Sequence, residues 1–244
     1  IMGYNHGKHL FDAQGKVCVN KEKGCVEVIL HAQGETPVRY TLNGSDPTAD
    51  SPLYTEPIEI RESCTLKAKS DIEGSRVFAR TFESHAAMGR PVTLITEAHP
   101  NYTFSCPDML TDGNTGEGPY NSGDYAGWYN QPMEVIIEMN GTSYNEVTLS
   151  TYVFKADWIF GPKKISILTS EDGETYTELA AQEIKDNGQM TDGNGCQDYT
   201  LSFAETSAKF LKVIADTYTE LPEWHPGAGY PGFIFVDEII VKYN

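Results

Sequence analysis

Three stretches of this chain gather side chains able to do chemistry. The first is IFVDEIIV, residues 234–241, where Asp237 and Glu238 interrupt an apolar run. A carboxylate is costly to bury unless it is paired, hydrogen-bonded or metal-bound. Period two along a strand sends adjacent side chains to opposite sides, so at least one acid points to the face shared with Val236 and Ile240. The alternatives are a strand-end acid still in water, or one paired with Lys or Arg. The second stretch is LTDGNTGEG, residues 110–118, a glycine-containing turn that offers Asp112 among many carbonyl groups. Calcium takes six to eight hard oxygens in flexible geometry, and a carbonyl-dense turn with one or two carboxylates supplies them. A solvated Asp-Gly turn is the other reading, and MTDGNG at residues 190–195 repeats the same letters.

The third set is aromatic. Trp128 and Tyr129 precede an expected strand, Trp158 lies in ADWIFGP, and Trp224-His225 lie in the last long loop. Sugar rings present apolar C–H faces that stack on indole or phenol while nearby polar groups take the hydroxyls. Tryptophans that cap the ends of a sandwich give the same letters, and Trp128 fits that role best.

Enzyme signatures are missing from the sequence. There is no GxSxG elbow, and the six histidines stand singly with no HExxH. A glycosidase sets two carboxylates on either side of one sugar, but no acid pair here ends consecutive strands of a large barrel. The chain is therefore expected to carry no catalysis of its own. Five cysteines, Cys18, Cys25, Cys64, Cys106 and Cys196, include no CxxC, which argues against zinc. Cys18 and Cys25 flank VNKEKG, a hairpin across which they either bridge or sit as small buried side chains.

The net charge of −17 argues against nucleic acid and against an anionic membrane face, and no apolar run is long enough to cross a bilayer. A neutral glycan or a metal cation is compatible with it. A content of 39% hydrophobic and 11% aromatic residues predicts a real core. Short alternating runs separated by Gly and Pro predict strands throughout. CVEVILHA, PVRYTLNG, SPLYTEPIEI, CTLKAKS and SRVFARTFE form a small β-sandwich, with Val38, Tyr40 and Leu42 on one face and a turn at Asn43-Gly44. SHAAMGRP, residues 84–91, is the linker candidate and reads as a rigid junction. Strands of a second unit are placed at PVTLITE, MEVIIEMN, YNEVTLSTYVF, KKISILTS, DYTLSFA, AKFLKVIADT and FIFVDEIIVKY. Its long loops span Thr111–Gln131, Val153–Lys163 and Asp216–Gly232, and loops of that length usually do a job. The opening Ile1-Met2-Gly3 reads as a piece of something longer.

RYTLNGSDPTADSPLYTEPIEI followed by TLKAKS resembles the chitobiase/β-hexosaminidase C-terminal module, with Asn43 where that family commonly has Asp. LTDGNTGEG, GWYNQPMEVIIEMN, ISILTSEDGETY, FLKVIADTYTELPEWHPGAG and FIFVDEIIV are similar to a factor 5/8 type C, discoidin-like domain. Their order resembles the C-terminal region of bacterial family 20 glycoside hydrolases, the β-N-acetylhexosaminidases. The resemblance implies an all-β chain, a small fibronectin- or immunoglobulin-like sandwich over residues 1–84, a short linker over 85–91 and a discoidin-like jelly roll over 92–244. It implies a structural Ca2+ held by the Leu110 carbonyl, Asp112, Asn114 or Thr115, the Asp237 carbonyl and Glu238. Sugar would meet the loops at one tip, at Trp158, Trp224 and His225, with Tyr125 and Tyr129 as lesser candidates. The expected partners are a glycan and the parent enzyme's own catalytic domain, in a periplasmic, cell-surface or secreted bacterial setting. The alternative is a structural module packed against that missing domain.

Overall fold

The computed structural model describes residues 10–104, 109–116 and 118–244. His6, His9, Cys106 and Glu117 therefore lie outside the described residues, as do the first letters of the chain. The protein is all-β and folds as two β-sandwiches whose strand pairs are antiparallel throughout. Among the described residues, no helix is long and apolar enough to cross a membrane.

The small sandwich faces one three-stranded sheet against another. Strands β1 (Gln14–Asn20), β2 (Cys25–His31) and β4 (Ile58–Ile60) form the first. Strands β3 (Val38–Thr41), β5 (Cys64–Ser70) and β6 (Phe78–Phe82) form the second. Alternate residues such as Val26, Val28, Ile58, Leu66 and Ala68 point between them and exclude water. The Val38 face stops one residue early, because β3 ends at Thr41 and Leu42 is exposed. In the β1–β2 hairpin the register sets Cys18 opposite Glu27 and Cys25 opposite Asn20. Cys25 is a free thiol while Cys18 is disulfide-bonded, so the two do not bridge the hairpin.

The large sandwich packs a five-stranded sheet on a four-stranded one. The five are β7 (Val92–Leu94), β9 (Met133–Glu138), β11 (Lys164–Ser170), β12 (Thr177–Glu183) and β14 (Phe210–Asp216). The four are β8 (Ala126–Tyr129), β10 (Tyr144–Val153), β13 (Gly195–Thr206) and β15 (Phe233–Lys242). Trp128, Met133, Val135, Leu149, Leu211 and Ile239 lie in the core between them. Two strands differ from the sequence reading. Residues 126–129 pair with β15 as β8 inside what reads as a loop. TELAAQE forms β12, an edge strand largely open to water, so it lacks the apolar alternation that marks a half-buried strand.

The segment joining the two sandwiches belongs to both cores. Ala86 and Ala87 pack into the large core while Met88 packs on the small one. Gly89 has φ +76°, and a Cβ there would stand 2.8 Å from the Cys25 Cα of β2. Only glycine relieves both the backbone strain and the contact. Gly89→Ala is expected to destabilise the protein by more than about 1 kcal/mol, since neither φ nor the β2 backbone can yield cheaply. Urea unfolding would check this, and a midpoint equal to that of the parent protein would contradict it.

Candidate functional site

The acids of β15 and the turn at residues 110–116 meet, through a local departure from strand geometry. Ser150 pairs with Glu238 and Thr151 with Val236, which leaves Asp237 as an extra residue. A β-bulge of this kind re-aims side chains and suspends period two. Both acids consequently turn toward the same loop, where period two alone sends them apart. Glu238 accepts the backbone N–H groups of Asp112 (3.3 Å) and Gly113 (3.1 Å), and Asp237 accepts that of Gly116 (2.5 Å). Asp112 accepts the Asn114 N–H at 2.8 Å.

All three carboxylates are buried. Burial raises each above the ordinary carboxylate range: Asp237 to about 6, and Asp112 and Glu238 strongly, with the Glu238 charge adding to the shift at Asp112. Among the described residues no Lys or Arg pairs with any of them. The nearby basic group is His85 from the joining segment, whose Nε2 lies 2.8 Å from Glu238 Oε1. Its Nδ1 accepts the N–H groups of Ala87 and Val241, so Nε2 carries the proton and donates to Glu238. Burial pushes His85 down to about 4, so the contact is a hydrogen bond from a neutral imidazole rather than an ion pair.

Asp112 Oδ2 and Asp237 Oδ1 are buried without a hydrogen-bond partner. Orphaned acceptors beside three buried acids, with no compensating cationic side chain, fit a hard divalent cation. Leu110 and Asn114 are buried next to them, and Thr115 is exposed at the edge. A second group, Cys25, Glu27 and Glu59, brings one ligand atom each within 4.8 Å of one another, as a metal ion requires. The acids of β15 and Asp112 form no group that tight. Lys23, however, already pairs with Glu27 (2.8 Å) and Glu59 (3.0 Å), and Arg61 also holds Glu59, while burial raises the Cys25 thiol. A cation at that surface must displace basic side chains and a thiol proton.

At one end of the large sandwich three loops converge. The turn after β10 closes tightly, with Phe154 and Ile159 bridged and Trp158 in the left-handed region at φ 67°. A tryptophan there is uncommon and is held by flanking pairing to Phe233. Its indole packs over Gly227, where a Cβ would stand 2.8 Å from Cζ2. Trp158 lies tilted against Tyr230 at 5.9 Å and meets His225 edge-on at 6.2 Å, while Trp224 meets His225 at 5.6 Å and Phe160 at 6.0 Å. Trp224 is 36% and Tyr230 63% exposed. His225 is buried, with Nε2 donating to the Lys155 carbonyl and Nδ1 accepting the Gly227 N–H, so it shapes the loop and has no free nitrogen.

Beside Phe160 lies a pocket of about 190 Å3 whose walls include Tyr199 and Tyr218. Lys155, itself buried, pairs with Asp186 at 2.5 Å, reaches the Gln189 carbonyl, and lies 5.6 Å from the Trp224 ring centre. The remaining sequence candidates lie elsewhere. Tyr125 is buried and donates to the Gly116 carbonyl at 2.7 Å, next to the acid loop. Tyr129 packs on Phe233 at 4.6 Å. Trp128 is fully buried and donates to the Thr96 carbonyl. Sequence reasoning missed Tyr230, Phe160 and the Lys155–Asp186 pair. Tyr230 carried a signal, an aromatic in the same glycine-rich loop as Trp224. The pair carried none, since its partners are 31 residues apart in unremarkable loops.

The family model described as "Fn3 associated" matches residues 28–82. No curated protein matches the chain. A fucose-binding module from Streptococcus pneumoniae is 14% identical over 66% of this chain and 98% of its own, with a TM-score of 0.43. A Clostridium perfringens module solved with GalNAc-β-1,3-galactose is 19% identical over 65% and 99%, with a TM-score of 0.41. Chitosan-binding module 1 from a chitosanase/glucanase of Paenibacillus sp. IK-5 is 15% identical over 65% and 98%, with a TM-score of 0.39. Superpositions at TM-scores this low assign neither fold nor function. The family match lies wholly within the small sandwich.

Proposed function

We propose that this chain is a non-catalytic carbohydrate-binding or substrate-positioning region of a secreted β-N-acetylhexosaminidase-like glycoside hydrolase. The division falls at residues 1–84, 85–91 and 92–244. One observation carries the reading: Trp224 and Tyr230 lie exposed at a loop tip beside Trp158, next to a pocket with phenol walls. A ring stacked on an indole, with hydroxyls reaching the phenols of Tyr199 and Tyr218, is how a neutral sugar is held. The pocket is smaller than the roughly 300–1,000 Å3 of drug-sized sites, which suits one sugar ring. The charges of Lys155, Lys185, Asp186 and Asp192 on its lining cancel, which favours an uncharged ligand such as an N-acetylhexosamine or a galactoside. His225, Tyr125 and Tyr129 act through packing.

A structural Ca2+ belongs to the same reading. Asp112, Asp237 and Glu238 would hold it, with the Leu110 and Asp237 carbonyls completing the shell and Asn114 and Thr115 at its edge. Its role is to neutralise buried charge and fix the loop.

Trp224→Ala is expected to weaken binding of N-acetylgalactosamine or methyl β-galactoside about tenfold in a variant that remains folded, as read by ligand-observed NMR or calorimetry. A glycan array on which the intact chain binds nothing would sink the proposal. The exposed Trp224 and Tyr230 also suit burial against a catalytic domain. On that reading Trp224→Ala weakens association with the domain and leaves glycans unaffected.

A further inference from the structure

The segment joining the two sandwiches is tied to the acid loop at both ends, Glu83 and Gly89, and to β15 between them. The Glu83 N–H donates to the Gly113 carbonyl and the Gly89 N–H to the Thr111 carbonyl, both at 2.8 Å. These carbonyls flank Asp112, the residue with an orphaned buried carboxylate oxygen. Between them, His85 donates to Glu238, and the Ala86 N–H donates to the Val241 carbonyl at 2.8 Å. Gly89 is pressed on the β2 backbone of the small sandwich, and Met88 sits on that sandwich's core. Loop 111–113 therefore carries the unsatisfied acid of the cation site and the acceptors that hold the junction.

We propose that this acid cluster is an interdomain latch: a divalent cation at Asp112, Asp237 and Glu238 locks the orientation of the two sandwiches, and its removal frees the joining segment. The inference rests on the cation site proposed above and goes beyond it, since the consequence falls on the other domain. Without the cation, the buried Asp112 Oδ2 and Asp237 Oδ1 have no partner, and the cheapest relief is for loop 111–113 to move outward to water. That movement takes away the acceptors of Glu83 and Gly89. With the cation, opening of the loop requires its release, so opening is suppressed in proportion to occupancy. Joined rigidly, the two sandwiches would present a glycan in one orientation to whatever lies on the far side of the small one. His85 is a positioning residue here, reading Glu238 on behalf of the junction.

The test is amide hydrogen exchange on the intact chain with Ca2+ or with EGTA, alongside calorimetry with Ca2+. At a hundredfold excess over Kd, Ca2+ is expected to slow exchange of the Glu83, Ala86, Gly89 and Gly113 amides by ten- to hundredfold. Amides of β5 in the small sandwich should not change. His85→Ala should weaken Ca2+ binding and, at saturating Ca2+, lose the protection of Glu83 and Ala86 while that of Gly113 remains. Should that variant fail to fold, the comparison on the parent chain decides alone. Ca2+ binding with equal exchange in both conditions overturns the latch and leaves the cation site standing. No heat of Ca2+ binding overturns both.

Discussion

Glu238→Ala is expected to lower stability by about 3 kcal/mol or more. The change removes the acceptor of three buried donors, the Asp112 and Gly113 amides and His85 Nε2–H, and each unsatisfied donor costs about 1–3 kcal/mol. Relief of repulsion with Asp112 and Asp237 offsets part of this, which is why the sum is not three full penalties. For a chain of this size the loss corresponds to a fall in Tm of roughly 6–12 °C. Glu238→Gln keeps an acceptor of the same shape and should cost much less in EDTA, while abolishing most of any stabilisation by Ca2+. A melting temperature for Glu238→Ala within 2 °C of the parent would show that the carboxylate does not organise the loop.

The second large effect is a reversal in the pH dependence of stability. Asp237 is raised by burial from 3.8 to about 6, so the folded state holds its proton more tightly than the unfolded chain does. Stability from this group is fully present below about pH 4 and is lost as pH rises through about 6, a change of about 3 kcal/mol. Asp112 and Glu238 are raised by the same burial and add in the same direction. His85, held down to about 4 by burial, gains stability over the same interval and offsets about as much as Asp237 contributes, so in EDTA the fall in melting temperature between pH 4 and pH 7 rests on Asp112 and Glu238. A bound cation prefers the ionised acids and competes with their protons, so in Ca2+ the same interval should show a rise. Asp172, held at about 2 by backbone amides, titrates below this window. Parallel pH profiles with and without Ca2+ would exclude a cation at these acids.

The strands of the two sandwiches were legible because half-buried alternation is a local property. Met133, Val135 and Ile137 face the core and Glu134 and Glu138 do not, as period two requires. Where a strand is not half-buried the signal fails. The exposed edge strand β12 has no apolar face to betray it, and β8 is hidden by its glycine and flanking tyrosines. The acids of β15 could be picked out as a problem in need of a partner. Their solution could not, since the bulge at Asp237 depends on pairing with Ser150 and Thr151, more than eighty residues earlier. His85 looks like a linker letter until the fold lays it on Glu238, 153 residues away.

The amino-acid sequence by itself determined the all-β class, the two-sandwich organisation and the presence of acids where an apolar strand cannot leave them unpaired. Periodicity, turn chemistry and burial cost act between near neighbours, so they can be read along the chain. Only the tertiary structure decided that both acids turn to one loop, that the joining segment binds that same loop, and that Trp224 and Tyr230 are exposed while His225 and Tyr125 are buried. Those outcomes depend on contacts between residues far apart in the chain, where packing of the whole, rather than any local preference, selects which polar atom finds a partner.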